Sequence, residues 1–152
     1  MTCPGNERHM NGMTLLCSLA LLAALVVGFT HPEPGDQMGM IEMSISHGRY
    51  ADALELLDRL VAADPGRVDA YSRRAFVNLK LNRTSQAIVD FSRVIELRPQ
   101  DSVAYISRGF LHDQQHEQDR AADDFRQACL LGDQGGCRLH EEMRAKKSGQ
   151  QH

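Results

Sequence analysis

The sequence predicts an all-α fold: a short α-α solenoid of three helical hairpins plus a capping helix, behind an N-terminal hydrophobic segment. Two observations carry the prediction. Residues 34 apart match in type along the middle of the chain: Tyr71 with Tyr105, Ala75 with Gly109, Ala87 with Ala121, Phe91 with Phe125. One unit earlier Pro65 pairs with Pro99, Ala53 with Ala87 and Leu57 with Phe91. A fixed period of this length marks a helical repeat array. Composition agrees, because a chain with no Trp and 5% aromatic residues must pack through Leu, Ile, Val and Ala. The formal charge of -3 is spread in both signs along the repeats, with no basic block beyond Lys146-Lys147. That excludes the electrostatic footprint of a nucleic-acid binder.

The elements follow in chain order. Met13 to Phe29 (MTLLCSLALLAALVVGF) is apolar and uncharged, preceded by Arg8 and His9 and followed by His31, Glu33 and Asp36. Basic, then apolar, then polar is the order of a secretory signal. The run is slightly shorter than the roughly 20 residues of a spanning helix. Residues 1–30 therefore read as a cleaved signal peptide or an uncleaved membrane anchor, with a buried core helix as the third option. Val26-x-Gly28 is a usable cleavage point, and no lipobox surrounds Cys17 because Leu16 is too large. Either main reading exports the chain, to a periplasmic or secreted location or to a membrane held by residues 13–29. A bacterial envelope protein is the expectation.

Residues 31–37, with Pro32, Pro34 and Gly35, read as a linker, and 38–147 as the helical domain. The first hairpin pairs 37–47 with 50–63, turning at Gly48 and stopping at Pro65-Gly66. Ala53, Leu56, Leu57, Leu60 and Val61 recur at helical spacing as one apolar stripe. The second hairpin pairs 68–81 with 84–97; Asn82 takes the turn, since Asn tolerates left-handed backbone. Pro99 closes that unit and Asp101 is placed to cap the next helix. The third hairpin pairs 102–115 with 118–131, after which Gly132, Gly135 and Gly136 are expected to break the chain. A last amphipathic stretch, 136–146, presents Leu139 and Met143 on one side and charge on the other, as a terminal cap must. Residues 148–152 read as a disordered tail.

This pattern resembles the tetratricopeptide repeat. The second unit supplies that family's aromatic, small and proline positions as Tyr71, Ala75, Ala87, Phe91, Val94 and Pro99. The third supplies Tyr105, Gly109, Ala121, Phe125 and Ala128. The first keeps Gly48, Tyr50, Ala53, Leu57, Leu60 and Pro65, but has Ile41 and Ser44 in place of the usual small and aromatic residues. The resemblance covers about 38–133, most strongly 68–131. A second resemblance begins at Asp124: the run DFRQACLLGDQGGC is similar to the closing unit of Sel1-like, cysteine-rich repeat proteins. It implies a disulfide between Cys129 and Cys137, against the alternative of two reduced, half-buried thiols. An oxidising compartment would favour the bond.

The resemblance also implies a concave groove lined by the first helix of each unit. Carried onto this chain, the groove is Met38, Glu42 and Ile45; Asp69, Ser72, Phe76, Leu79 and Lys80; and Val103, Ile106, Phe110, Asp113 and Gln114. Such a groove takes another protein or peptide through apolar anchors. The family's carboxylate clamp for acidic tails is missing, because Phe76 and Phe110 stand where its Asn residues belong. The same phenylalanines could instead pack between units, and both readings stay open. Arg73, Arg74 and Arg108 read as solvated or paired with neighbouring acids.

No catalytic constellation is present, and the expectation is a non-enzymatic scaffold with no cofactor. His112 and His116, four apart beside Glu117, could put two imidazoles on one helical face, which makes a metal-binding module the alternative. The zinc-protease pattern is not met, and His116 coincides with the turn position of Gly48 and Asn82. A homo-oligomerising assembly module, docking through the degenerate first unit, is a further alternative. Membrane contact is expected only through an uncleaved N-terminal segment.

Overall fold

The computed structural model describes residues 34–149, so the signal or anchor at 1–30 and the tail from 150 onward lie outside the described residues. Seven helices and no strand occupy the described residues: α1 (Pro34–Ser46), α2 (Tyr50–Ala63), α3 (Val68–Lys80), α4 (Thr84–Leu97), α5 (Ser102–Gln114), α6 (Gln118–Leu130) and α7 (Gln134–Gly149). The six helices of the three hairpins lie within a residue or so of the sequence reading at all but one end. Two boundaries differ. Helix α1 begins at Pro34, inside the expected linker, because proline is tolerated in a first helical turn where its missing N–H has no partner anyway. Helix α7 absorbs Gly135 and Gly136, expected as breakers, and runs through Gly149 into the expected tail.

The turns explain why the period is strict. Gly48, Asn82 and His116, spaced by 34, all hold left-handed backbone, at φ 70°, 57° and 62°. At each, the next amide closes the helix end on a carbonyl five residues back: Arg49 N–H to Ser44 O (2.8 Å), Arg83 N–H to Asn78 O (2.8 Å), Glu117 N–H to His112 O (2.9 Å). This is the Schellman closure, which satisfies carbonyls left over by the helix. The α6–α7 turn repeats it with Gly132 at φ 89° and Asp133 N–H to Ala128 O at 3.1 Å. The last connection is therefore a tight hairpin turn where the earlier units have a proline loop, and α7 folds straight back along α6.

Packing follows the small positions. Ala75, Ala87, Ala53 and Ala121 are fully buried where two helices of a unit cross. At Gly109 a Cβ would lie 2.7 Å from Phe125 Cε1 and 3.2 Å from Asp124 Cβ, so only glycine fits. Gly136 is equally constrained: its Cβ would meet Ala128 Cβ at 2.6 Å, which is why a glycine sits inside α7. The largest apolar cluster runs through Ile41, Leu57, Leu60, Val61, Tyr71, Val77 and Val94. Ile41, at a position the family keeps small, is completely buried there. A second cluster gathers Leu111 with Ala75 and Ala87, and a third gathers Phe125 with Ala121 and Met143.

A polar device repeats within this packing. Arg74 of α3 donates to both oxygens of Asp90 on α4 (Nη2 to Oδ1 2.6 Å, Nε to Oδ2 3.2 Å) and to Asp58 on α2 (2.9 Å). Asn78 donates to the same Asp90 at 3.0 Å. One unit on, Arg108 of α5 donates to Asp124 on α6 (2.7 and 2.9 Å) and to Ser92 on α4 (2.9 Å). Each guanidinium also lies over a tyrosine ring, Arg74 on Tyr71 and Arg108 on Tyr105. Each arginine thus joins both helices of its own unit to the second helix of the unit before.

Two stability predictions result. Arg74→Ala strands a carboxylate whose side chain is 2% exposed, and should cost roughly 3–5 kcal/mol in urea unfolding. Gly136→Ala forces α7 off α6 and should cost about 1–3 kcal/mol in the same measurement.

Candidate functional site

The expected groove residues lie on the first helices α1, α3 and α5, and none of them is fully buried. They divide by what they touch. Met38 and Ile45 lean on the largest apolar cluster, Leu79 on the second and Ile106 on the third, so these four are partly structural. Glu42 pairs with Arg73 at 2.7 Å, Asp69 with Arg67 at 3.1 Å, and Ser72 donates to the Val68 carbonyl at 3.2 Å. Lys80 Nζ sits 5.2 Å from the centre of the Phe76 ring. Phe76, Phe110 and Val103 remain open at 40%, 46% and 66% exposure, with Asp113 and Gln114 near the end of α5.

The two phenylalanines answer the packing question differently. Phe110 meets Phe125 edge-on at 5.3 Å between centroids, so one face of its ring packs within its own unit while nearly half stays in solvent. Phe76 lies against Lys80 instead and presents its ring outward. The cations of this region are mostly committed: Arg73 to Glu42, Arg74 to Asp58 and Asp90, Arg108 to Asp124. What the surface offers is apolar and aromatic, with little uncompensated positive charge.

The remaining candidates resolve as follows. Cys129 of α6 and Cys137 of α7 are joined as a disulfide with Cα atoms 4.4 Å apart, across the tight turn at Gly132. His112 is buried, with Nδ1 2.6 Å from Glu117 Oε2 and Nε2 4.0 Å from Asp124 Oδ2. His116 is the exposed left-handed turn residue. The two imidazoles are thus used separately, and among the described residues no three His, Cys, Asp or Glu side chains are grouped to hold a metal ion. Among the described residues no helix is long and apolar enough to cross a membrane. Of the two options read for Arg74 and Arg108, pairing with acids holds, but sequence reasoning did not name the partners Asp90 and Asp124, although both recur at the 34-residue period and could have been found that way.

Comparison with known proteins places these features. Residues 44–108 match the tetratricopeptide repeat family model. DnaJ homolog subfamily C member 3 of Rattus norvegicus is 32% identical over 129 residues, covering 83% of this chain and 26% of the relative. The chain thus spans about a quarter of that relative's length. The P58(IPK) TPR domain is 28% identical with a TM-score of 0.65, covering 77% of this chain and 33% of that one. The second TPR of Spaghetti (RPAP3), bound to the HSP90 peptide SRMEEVD, is 26% identical with a TM-score of 0.58, covering 63% of this chain and 89% of that one. The expectation of a bacterial envelope protein draws no support from this group.

Titration follows from the same contacts. The hydrogen bond from His112, and then Arg120, hold the Glu117 carboxyl below its ordinary range. The Gly136 backbone amide does the same, first among several donors, for Asp133, as Lys147 does for Asp119. A carboxylate whose folded pKa is depressed stabilises fully above its unfolded value, and loses that contribution as pH falls through the folded one. The melting temperature should therefore drop on acidification through the carboxylate range, and less steeply in Glu117→Gln, as read by circular dichroism melts across pH.

Proposed function

We propose that this tetratricopeptide-repeat protein is a non-catalytic scaffold that holds a segment of another protein along the first helices of its units. The observation carrying the reading is the exposure of Phe76 and Phe110 at equivalent points one repeat apart. Large exposed aromatics flanked by polar residues are the usual anchors of a binding surface. The relatives agree in kind: one is named as a DnaJ homolog and another is a repeat domain bound to a peptide.

The ligand class differs from that of the peptide-bound relative. An acidic tail such as SRMEEVD needs several free cations, and here Arg73, Arg74 and Arg108 are paired with carboxylates, which leaves Lys80, lying on the Phe76 ring, as the groove cation without such a pair among the described residues. The groove therefore suits an extended or helical segment with apolar side chains at its anchor points. Export belongs to this reading and rests on the run Met13–Phe29, which lies outside the described residues, together with a cysteine pair of the kind that persists in oxidising compartments. Kinship of the closing unit with Sel1-like repeats is supported by the position of that pair across a tight helical turn. A metal-binding role for His112 and His116 is the weaker reading, since His112 is engaged with Glu117.

Fluorescence polarisation tests the proposal with two labelled probes, SRMEEVD and a neutral peptide carrying paired Leu and Phe anchors. The neutral peptide should bind, and Phe76→Ala should weaken it about tenfold, or roughly 1.4 kcal/mol. Binding of SRMEEVD in preference, or indifference of the neutral peptide to Phe76→Ala, would refute it.

A further inference from the structure

The chain holds one Asn-x-Ser/Thr triplet whose middle residue is not proline, Asn82-Arg83-Thr84. It falls on the turn between α3 and α4. Asn82 is the exposed left-handed residue of that turn at φ 57°, Arg83 beside it is exposed, and Thr84 opens α4. Turn chemistry accounts for the asparagine, since left-handed backbone favours Gly, Asn or His and the equivalent positions are Gly48 and His116. It does not account for the threonine. The repeat equivalents of Thr84 are Tyr50 and Gln118, so the fold asks for no hydroxyl there. A capping threonine would stand one place earlier, at Arg83, and α4 has no side-chain cap.

Both side chains are also uncommitted. The turn is held by backbone bonds, Asn82 N–H to Leu79 O at 3.0 Å and Arg83 N–H to Asn78 O at 2.8 Å. Among the described residues neither the Asn82 amide group nor the Thr84 hydroxyl has a hydrogen-bond partner. In an exported protein such a triplet on a surface turn is the acceptor for N-linked glycosylation. Two features far from the turn point to that compartment independently. Met13–Phe29 has the order of a secretory signal, and Cys129–Cys137 is a bond of the kind that oxidising compartments maintain.

We infer that Asn82 is an N-glycosylation site, modified by an oligosaccharyltransferase from a lipid-pyrophosphate-linked oligosaccharide. The inference rests on export, proposed above. The side-chain nitrogen of Asn82 attacks the anomeric carbon of the first sugar, and an N–C bond replaces the C–O bond to the pyrophosphate. The electron pair of that C–O bond leaves with the lipid pyrophosphate, and the amide gives up one proton to a base of the transferase. Nothing is oxidised or reduced. The turn survives the change, because the side-chain amide has no contact to surrender and the backbone bonds are untouched. The attachment point lies six residues past Phe76, about 9 Å along a helix axis, so a hydrated sugar marks one end of the groove face of α3.

Cultured animal cells producing the full-length chain, its own residues 1–30 included, test this through two independent readouts. Shielding from added protease inside isolated vesicles, or recovery from the medium, reports export. Intact mass before and after peptide N-glycosidase reports the glycan. The wild type should be exported and should lose mass on enzyme treatment, with aspartate left at position 82. Thr84→Ala should be exported bare, while Thr84→Ser should keep the glycan. Asn82→Gly should also be bare, and glycine already serves the equivalent turn at Gly48. Should a variant fail to fold, the converted position in the wild type still decides. An exported wild type without glycan would overturn the inference and leave export standing. A chain both bare and retained outside the vesicles would overturn the two together. Because neither readout uses a peptide probe, failure here is separate from failure of the groove reading.

Discussion

Two arginines on the inner side of this small array each satisfy a buried carboxylate and, in doing so, tie three helices together. Asp90 and Asp124 have side chains 2% and 7% exposed, and a carboxylate buried to that extent is costly unless it is paired, as it is here with Arg74 and Arg108. The guanidinium fork suits the task, because its fixed geometry serves a carboxylate on one side and a second acceptor on the other. The acceptor in the preceding unit is Asp58 in one case and Ser92 in the other. Apolar packing between alanines is non-directional and would tolerate sliding of one unit on the next. The arginine bridges do not, and they set the relative register of successive hairpins.

This arrangement has a consequence for the binding surface. Arg74 and Arg108 are consumed in holding the fold, so on the surface proposed for binding the open side chains are those that packing does not need in full. Phe110 shows the compromise, one side of its ring against Phe125 and nearly half of the residue in solvent. Phe76 carries no such structural duty. Lys80 covers part of its ring, and among the described residues no carboxylate pairs with that cation.

Much of the fold was legible because the period records local physics. Left-handed turns recur at Gly48, Asn82 and His116, and small residues recur wherever helices cross, so spacing alone located both. The misread stretches are those where local preference and packing conflict. Gly135 and Gly136 look like helix breakers, yet the close approach to Ala128 demands glycine within the helix. Pro34 looks like a linker residue, yet the first turn of a helix accepts it. Family resemblance assigned the expected groove residues to the first helices of the units, but their division into structural and free side chains depends on contacts over many residues that spacing does not encode. The arginine–aspartate pairs were readable in principle, since both partners keep the repeat period.

The disulfide across the last turn bears on how the molecule comes apart. In a linear array each unit is held only by its neighbours, so opening begins at an end and travels inward. At the carboxyl-terminal side, Cys129–Cys137, the Asp133 cap bonded to Gly136 and Ser102, and the Lys147–Asp119 pair all clasp the final helix. Among the described residues, the ion pair that ties α1 to a later helix is Glu42 with Arg73. Of the two ends of the described residues, the clasped carboxyl-terminal one should open last, so the final hairpin is the part of the array best shielded from a protease.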